Sequence, residues 1–139
     1  MGLHYISQVP SAEEIKELFP MSPELKKIKE ERDAEIKKVF TGESDKFLAI
    51  IGPCSADNED AVLDYITRLA AVQEKIKDKI LIIPRIYTNK PRTNGSGYKG
   101  MLHQPNPEEK PNFIEGLKAI RILKQKGIET CGTVVYTPM

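Results

Sequence analysis

The sequence predicts an α/β fold built on parallel strands and preceded by a helical extension. Three observations carry this. Two short apolar runs of strand character, Phe47–Ile51 and residues 80–83, are separated by a helical pattern, giving the order strand, helix, strand. Parallel strands need such a crossover, and a βαβ unit leaves both strand ends opening on the same side. Each run then ends in residues with chemical potential: Gly52-Pro53-Cys54-Ser55 after the first, and Pro84-Arg85-Ile86-Tyr87-Thr88-Asn89-Lys90-Pro91-Arg92-Thr93 after the second. Ligands of parallel α/β folds bind at the carboxyl ends of the strands, so a thiol and several cations placed there read first as a site.

Residues 1–45 read as a polar helical extension. Ser11-Ala12-Glu13-Glu14 is a capping box, in which Ser11 accepts from a backbone N–H and Glu14 reaches back to cap the turn. Pro20 stops that helix. Ser22-Pro23 starts a second, with Ser22 as N-cap and Pro23 at the first helical position, where its missing N–H is no loss. Leu25, Ile28, Arg32, Ile36, Val39 and Phe40 leave a narrow apolar stripe on a charged helix, which needs a partner surface from its own domain or another subunit. Thr41-Gly42-Glu43-Ser44 punctuates the extension.

Beyond the first strand, Asp57 is placed to cap the next helix, with Glu59 and Asp60 at the positive end of its dipole. Val62, Leu63, Ile66, Leu69, Ala70 and Ile76 give that helix a broad core-facing stripe. Residues 92–111, rich in Gly, Pro and polar side chains, are too long for an ordinary βα connection and read as an active-site loop. Phe113, Ile114, Leu117, Ile120 and Leu123 mark a further helix, closed by Gly127, and residues 131–136 start a third strand.

Composition narrows the function. Lys and Arg number 21 against 20 Asp and Glu, a formal net charge of +1, so no global field points to nucleic acid or an anionic membrane and any anion binding must be local. Cys54 and Cys131 are far apart and lack zinc-ribbon spacing, which fits a reduced, cytoplasmic setting better than a disulfide framework. The first residues lack a cationic stretch followed by an apolar core, and no apolar run approaches the ~20 residues of a membrane span, so a soluble protein is expected.

Cys54 has two readings: a small buried hydrophobe, or a thiolate ligand to a metal. Its place after a rigid Gly-Pro exit from a strand favours the second, with nitrogen or oxygen ligands required from elsewhere; His4 and His103 are the only histidines. Arg85 directly follows an apolar run, so its guanidinium should sit near the strand mouth, where its fork suits a carboxylate or phosphate. Lys90 lies across the same strand end. Arg92 and Thr93, with the flexible Asn94-Gly95-Ser96-Gly97, can supply donors to a second phosphate. Two separated anion sites imply two anionic substrates or one bisphosphate. Tyr87 and Tyr98 are expected to pack the loop.

Residues 47–55, residues 85–93 and Gly97-Tyr98-Lys99-Gly100 closely resemble class I 3-deoxy-D-arabino-heptulosonate 7-phosphate (DAHP) synthase of the aromatic-amino-acid-regulated type. Glu17-Leu18-Phe19-Pro20, the helix around Arg32 and the turn at residues 40–46 resemble the amino-terminal arm of that type, so the match runs to about Lys124. The resemblance implies condensation of phosphoenolpyruvate with erythrose 4-phosphate, the first step towards aromatic amino acids, on a (β/α)8 barrel. It implies that Cys54 is a thiolate ligand to a divalent metal of the Mn, Fe, Co or Zn class. Arg85 then binds phosphoenolpyruvate, Lys90 acts where the two substrates meet, and Arg92 with Thr93 clamps erythrose phosphate. It also implies a homo-oligomer.

A complete barrel takes roughly 250 residues, and residues 127–139 depart from the family pattern, with no acidic residue where the third strand should carry one. The expectation is therefore an incomplete barrel: an arm over residues 1–45 that serves assembly or regulation, then two to three βα units over residues 46–139. The other metal ligands would come from outside this chain. Two alternatives remain open: a related synthase that joins phosphoenolpyruvate to arabinose 5-phosphate, and a non-catalytic assembly or regulatory remnant.

Overall fold

Ser11 and Ser22 open the first two helices as their sequence contexts predict. In α1 (Ala12–Leu18) the Ser11 hydroxyl accepts from the Glu14 N–H at 3.1 Å, and the Glu14 carboxylate accepts from the Ser11 N–H at 2.7 Å. In α2 (Pro23–Phe40) the Ser22 hydroxyl accepts from the Leu25 N–H, with Pro23 in the first turn. The structure is a computed structural model that describes residues 2–5, 8–90 and 92–136. The remaining described elements are β1 (Phe47–Ile51), α3 (Glu59–Ile76), β2 (Ile80–Ile86), α4 (Phe113–Cys131) and β3 (Val135–Tyr136).

The three strands form one parallel sheet in the order β1-β2-β3. Phe47 pairs with Ile80 and Ile51 with Pro84, while β3 meets β2 at Arg85 and Ile86. α3 and α4 lie beside each other against β2, and Ile66, Ile86, Met101, Leu123 and Ile128 are all at most 2% exposed in the core between them. β1 is an outer strand, with Phe47 and Ile50 exposed.

The partner surface that α2 requires is α4 of the same chain. Met21, Leu25 and Ile28 pack against the core, and Arg32 lies against Gly132 at the end of α4. The turn between α1 and α2 is tied down by polar contacts: Arg121 Nε and Gln125 Nε2 donate to the Phe19 carbonyl at 3.1 and 3.0 Å, and Gln125 also donates to that of Pro20 at 2.9 Å. Phe40, at the end of the stripe, stays exposed.

Four local expectations are corrected. The N-cap of α3 is Asn58, whose side-chain oxygen accepts from the Ala61 N–H; Asp57 precedes it. Gly127 does not close α4. The helix runs on to Cys131 and ends at Gly132, whose φ of 78° is the left-handed conformation a C-terminal cap needs, while Gly127 is buried against the Val134 side chain. β3 begins at Val135, after the helix end rather than at Cys131. β2 extends past Ile83 to Ile86, which places Arg85 within the strand and brings it to the outgoing end of β1.

Candidate functional site

The outgoing ends of β1 and β2 meet at Gly52. A Cβ there would lie 2.7 Å from the Arg85 carbonyl carbon, closer than such atoms approach, so only glycine allows the two strand ends this contact. The Arg85 guanidinium then reaches back over the β1 exit, and its Nη2 donates to the Pro53 carbonyl at 2.8 Å and more distantly to that of Gly52. It also lies 5.1 Å from the centre of the Tyr87 ring.

Cys54 is exposed, and its Sγ accepts from Lys90 Nζ at 3.0 Å. The Lys90 ammonium lies 5.6 Å from the centre of the same Tyr87 ring. The lysine's hydrogen bond and charge lower the Cys54 pKa, desolvation opposes this in part, and Arg85 and Arg92 add smaller downward contributions. The thiolate therefore persists below the ordinary thiol range. Next to it, the Ser55 hydroxyl is buried without a hydrogen-bond partner among the described residues.

The long loop is drawn against this centre by its own backbone. The Lys90 N–H donates to the Lys99 carbonyl at 2.8 Å, the Leu102 N–H to that of Thr88 at 3.1 Å, and Arg92 Nε to that of Tyr98 at 2.9 Å. The Tyr98 hydroxyl has one proton and lies 2.7 Å from the Gln104 carbonyl and 3.3 Å from that of Ala56, so the shorter contact holds it. Burial, helped by the charge of Asp57, pushes its pKa up to about 12, and it remains a neutral donor. Tyr98 thus closes the loop on itself through Gln104 and lies near the Ala56 carbonyl, a packing role of the kind the sequence suggests.

Cys54, Arg85 and Lys90 are brought together, and Arg92 lies within electrostatic reach. Thr93 sits exposed in the turn beside Arg92 and makes no side-chain hydrogen bond among the described residues. His103 packs edge-on against Phe113 at 5.2 Å. Tyr87, expected to pack the loop, lies beside both the Arg85 and the Lys90 cations, a contact not foreseen from the sequence. Its signal was its position two residues after Arg85 on an extended chain, which puts both side chains on one face.

No three His, Cys, Asp or Glu side chains among the described residues stand together to hold a metal ion. Cys54 offers a single donor, and the Lys90 ammonium occupies one approach to it. The residues present here do not fit a complete metal site.

The lowered thiol pKa has a defined sign. The pair's stabilising effect is full above the thiol pKa of the unfolded chain and is lost as pH falls through the lowered folded value. Iodoacetamide labelling of Cys54 should reach half its limiting rate below the ordinary thiol pKa, and Lys90→Met should move that point upward. Cys131 is buried with its pKa raised by that burial, so it should label slowly and leave the signal clean. An unchanged profile in the Lys90 variant would contradict the assignment.

The family model described as the DAHP synthetase I family matches residues 21–129, which include Cys54, Arg85, Lys90, Arg92 and Thr93. The chain belongs to this family. Among similar proteins, the Phe-sensitive phospho-2-dehydro-3-deoxyheptonate aldolase of Escherichia coli (strain K12) is 36% identical over 119 residues, covering 79% of this chain and 34% of that protein. The phospho-2-dehydro-3-deoxyheptonate aldolase of Corynebacterium glutamicum is 31% identical over 115 residues, covering 82% of this chain and 31% of that protein. A solved phospho-2-dehydro-3-deoxyheptonate aldolase from Francisella tularensis SCHU S4 superposes with a TM-score of 0.89 at 25% identity, covering 99% of this chain and 40% of that one. The chain thus spans about a third of the length of the curated relatives it matches. No helix among the described residues is long and apolar enough to cross a membrane.

Proposed function

We propose that this chain supplies the anion-binding, thiolate-bearing part of a DAHP synthase, an enzyme that condenses phosphoenolpyruvate with erythrose 4-phosphate and releases phosphate. The observation that carries the reading is the convergence of Cys54, Arg85 and Lys90 at the carboxyl ends of two adjacent parallel strands, with Arg92 close by. The substrates are anions that repel each other, and an array of cations offsets that repulsion and holds them within reacting distance.

In this reading the Arg85 fork takes the acidic groups of phosphoenolpyruvate. Lys90 stands where the substrates meet, neutralising charge or donating a proton to the forming alkoxide. Arg92 and Thr93 take the phosphate of erythrose 4-phosphate. Cys54 is the donor this chain would offer to a divalent metal whose other ligands lie outside it. The sheet and its two covering helices are the first units of a (β/α)8 barrel, supported by the likeness to the Francisella structure. Residues 1–45 are an arm for homo-oligomeric assembly or regulation, supported by the exposure of Leu3, Tyr5, Leu18 and Phe40. A cytoplasmic setting suits two free cysteines.

The test joins this chain to the remaining two thirds of a relative and follows phosphate release that depends on erythrose 4-phosphate. Arg85→Ala should chiefly raise KM for phosphoenolpyruvate and Arg92→Ala that for erythrose 4-phosphate. Each rise should be roughly 10- to 150-fold, the equivalent of about 1.5–3 kcal/mol for a charge-assisted contact. Wild-type constants for both substrates in both variants would overturn the assignment.

A further inference from the structure

We propose that Tyr87 is a positioning residue for the anion site, its ring holding Arg85 and Lys90 as one preformed pair of cations. The inference rests on the anion-site reading above and extends it to the side chain that lies beside both cations. Arg85 lies 5.1 Å and Lys90 5.6 Å from the same ring centre, both within the roughly 6 Å at which the negative face of an aromatic ring attracts a cation. Two like charges on neighbouring flexible side chains would otherwise separate into solvent until an anion arrived. A shared ring opposes that separation and lowers the ordering required on binding.

The rest of each cation's surroundings gives the ring this part. Arg85 is drawn towards β1 by the Pro53 and Gly52 carbonyls, and Lys90 is drawn towards Cys54. Tyr87 lies between these two holds in the sequence and contacts both side chains. Its own backbone is fixed, since its carbonyl accepts from the N–H of the fully buried Ala56 at 3.0 Å. The ring is therefore anchored to the β1 exit rather than carried by the loop. No carboxylate pairs with either cation among the described residues, which leaves the ring and the thiol as their side-chain partners.

The ring's electron density can be separated from its bulk. Phosphoenolpyruvate is titrated into the 139-residue chain at low ionic strength by calorimetry, with circular dichroism confirming that each variant keeps its fold. Tyr87→Phe, which retains the ring face, should bind within about twofold of the wild type. Tyr87→Leu, and pentafluorophenylalanine at the same position, should each bind about five- to tenfold more weakly, as expected when two cation–π contacts are lost. The fluorinated ring keeps the shape and reverses the quadrupole, so it decides the matter even if the leucine variant fails to fold. Arg85→Ala serves as the reference. If it weakens binding while the fluorinated ring does not, the role of Tyr87 is refuted and the anion site stands. If the wild type does not bind, or Arg85→Ala changes nothing, the anion-site reading falls and this inference with it.

Discussion

Replacing Gln73 with leucine is expected to lower the unfolding free energy by about 2–6 kcal/mol, because two buried backbone groups lose their partners at about 1–3 kcal/mol each. Gln73 lies on α3 and is 2% exposed. Its Nε2 donates to the Ile80 carbonyl at 2.8 Å, and its Oε1 accepts from the Ile82 N–H. The side-chain amide thus takes the place of a neighbouring strand along β2, while β3 pairs with it only at Arg85 and Ile86. Leucine has nearly the same volume, so a loss of stability would report hydrogen bonding rather than a cavity. Gln73→Glu separates the two bonds: its carboxylate can accept from Ile82 but cannot donate to Ile80, and protonation restores the donor. That variant should gain stability relative to the wild type as pH falls through its carboxyl pKa, which burial without a matching donor raises. Urea titrations of the three proteins across pH give the answer, and equal midpoints would remove Gln73 from any part in holding β2.

Gly52→Ala should have the second large effect, and it acts on stability and site together. The new methyl would fall on the Arg85 carbonyl, a backbone group that cannot rotate away, so the end of β1 must move off β2. Overpacking of this kind costs about 1–3 kcal/mol, sometimes more. Because the Gly52 and Pro53 carbonyls hold the guanidinium of Arg85, the same shift should weaken phosphoenolpyruvate binding under the proposed function. Urea unfolding and calorimetric titration of the variant check both effects. Unaltered stability together with unaltered binding would mean that the strand ends tolerate separation.

Features set by near neighbours were legible in the sequence. Ser11 with Glu14, and Ser22 with Pro23, carry their caps within one helical turn, and both helices start where those residues require. Asp57 and Asn58 share the same cap chemistry, so sequence alone could not choose between adjacent candidates; the chain path made the choice. Gly127 resembled a helix stop because any glycine late in a helix does. The reason for a glycine there is tertiary: Val134 returns against it. Gln73 occupies the core-facing stripe three and four residues after Ala70 and Leu69, and a polar residue at that spacing was an unused signal. At the site, residue types and strand ends pointed to Cys54, Arg85 and Lys90, whereas the shared contact with Tyr87 depends on how the chain turns after β2.

The exposed edge strand β1 has a colloidal consequence. Phe47 is 69% and Ile50 60% exposed on β1, a strand whose far side has no described neighbour in the sheet. An apolar strip beside open backbone hydrogen-bonding groups attracts another of its kind, and encounters between molecules multiply with concentration while folding within one molecule does not. Dilution should therefore favour the single dissolved species of this chain.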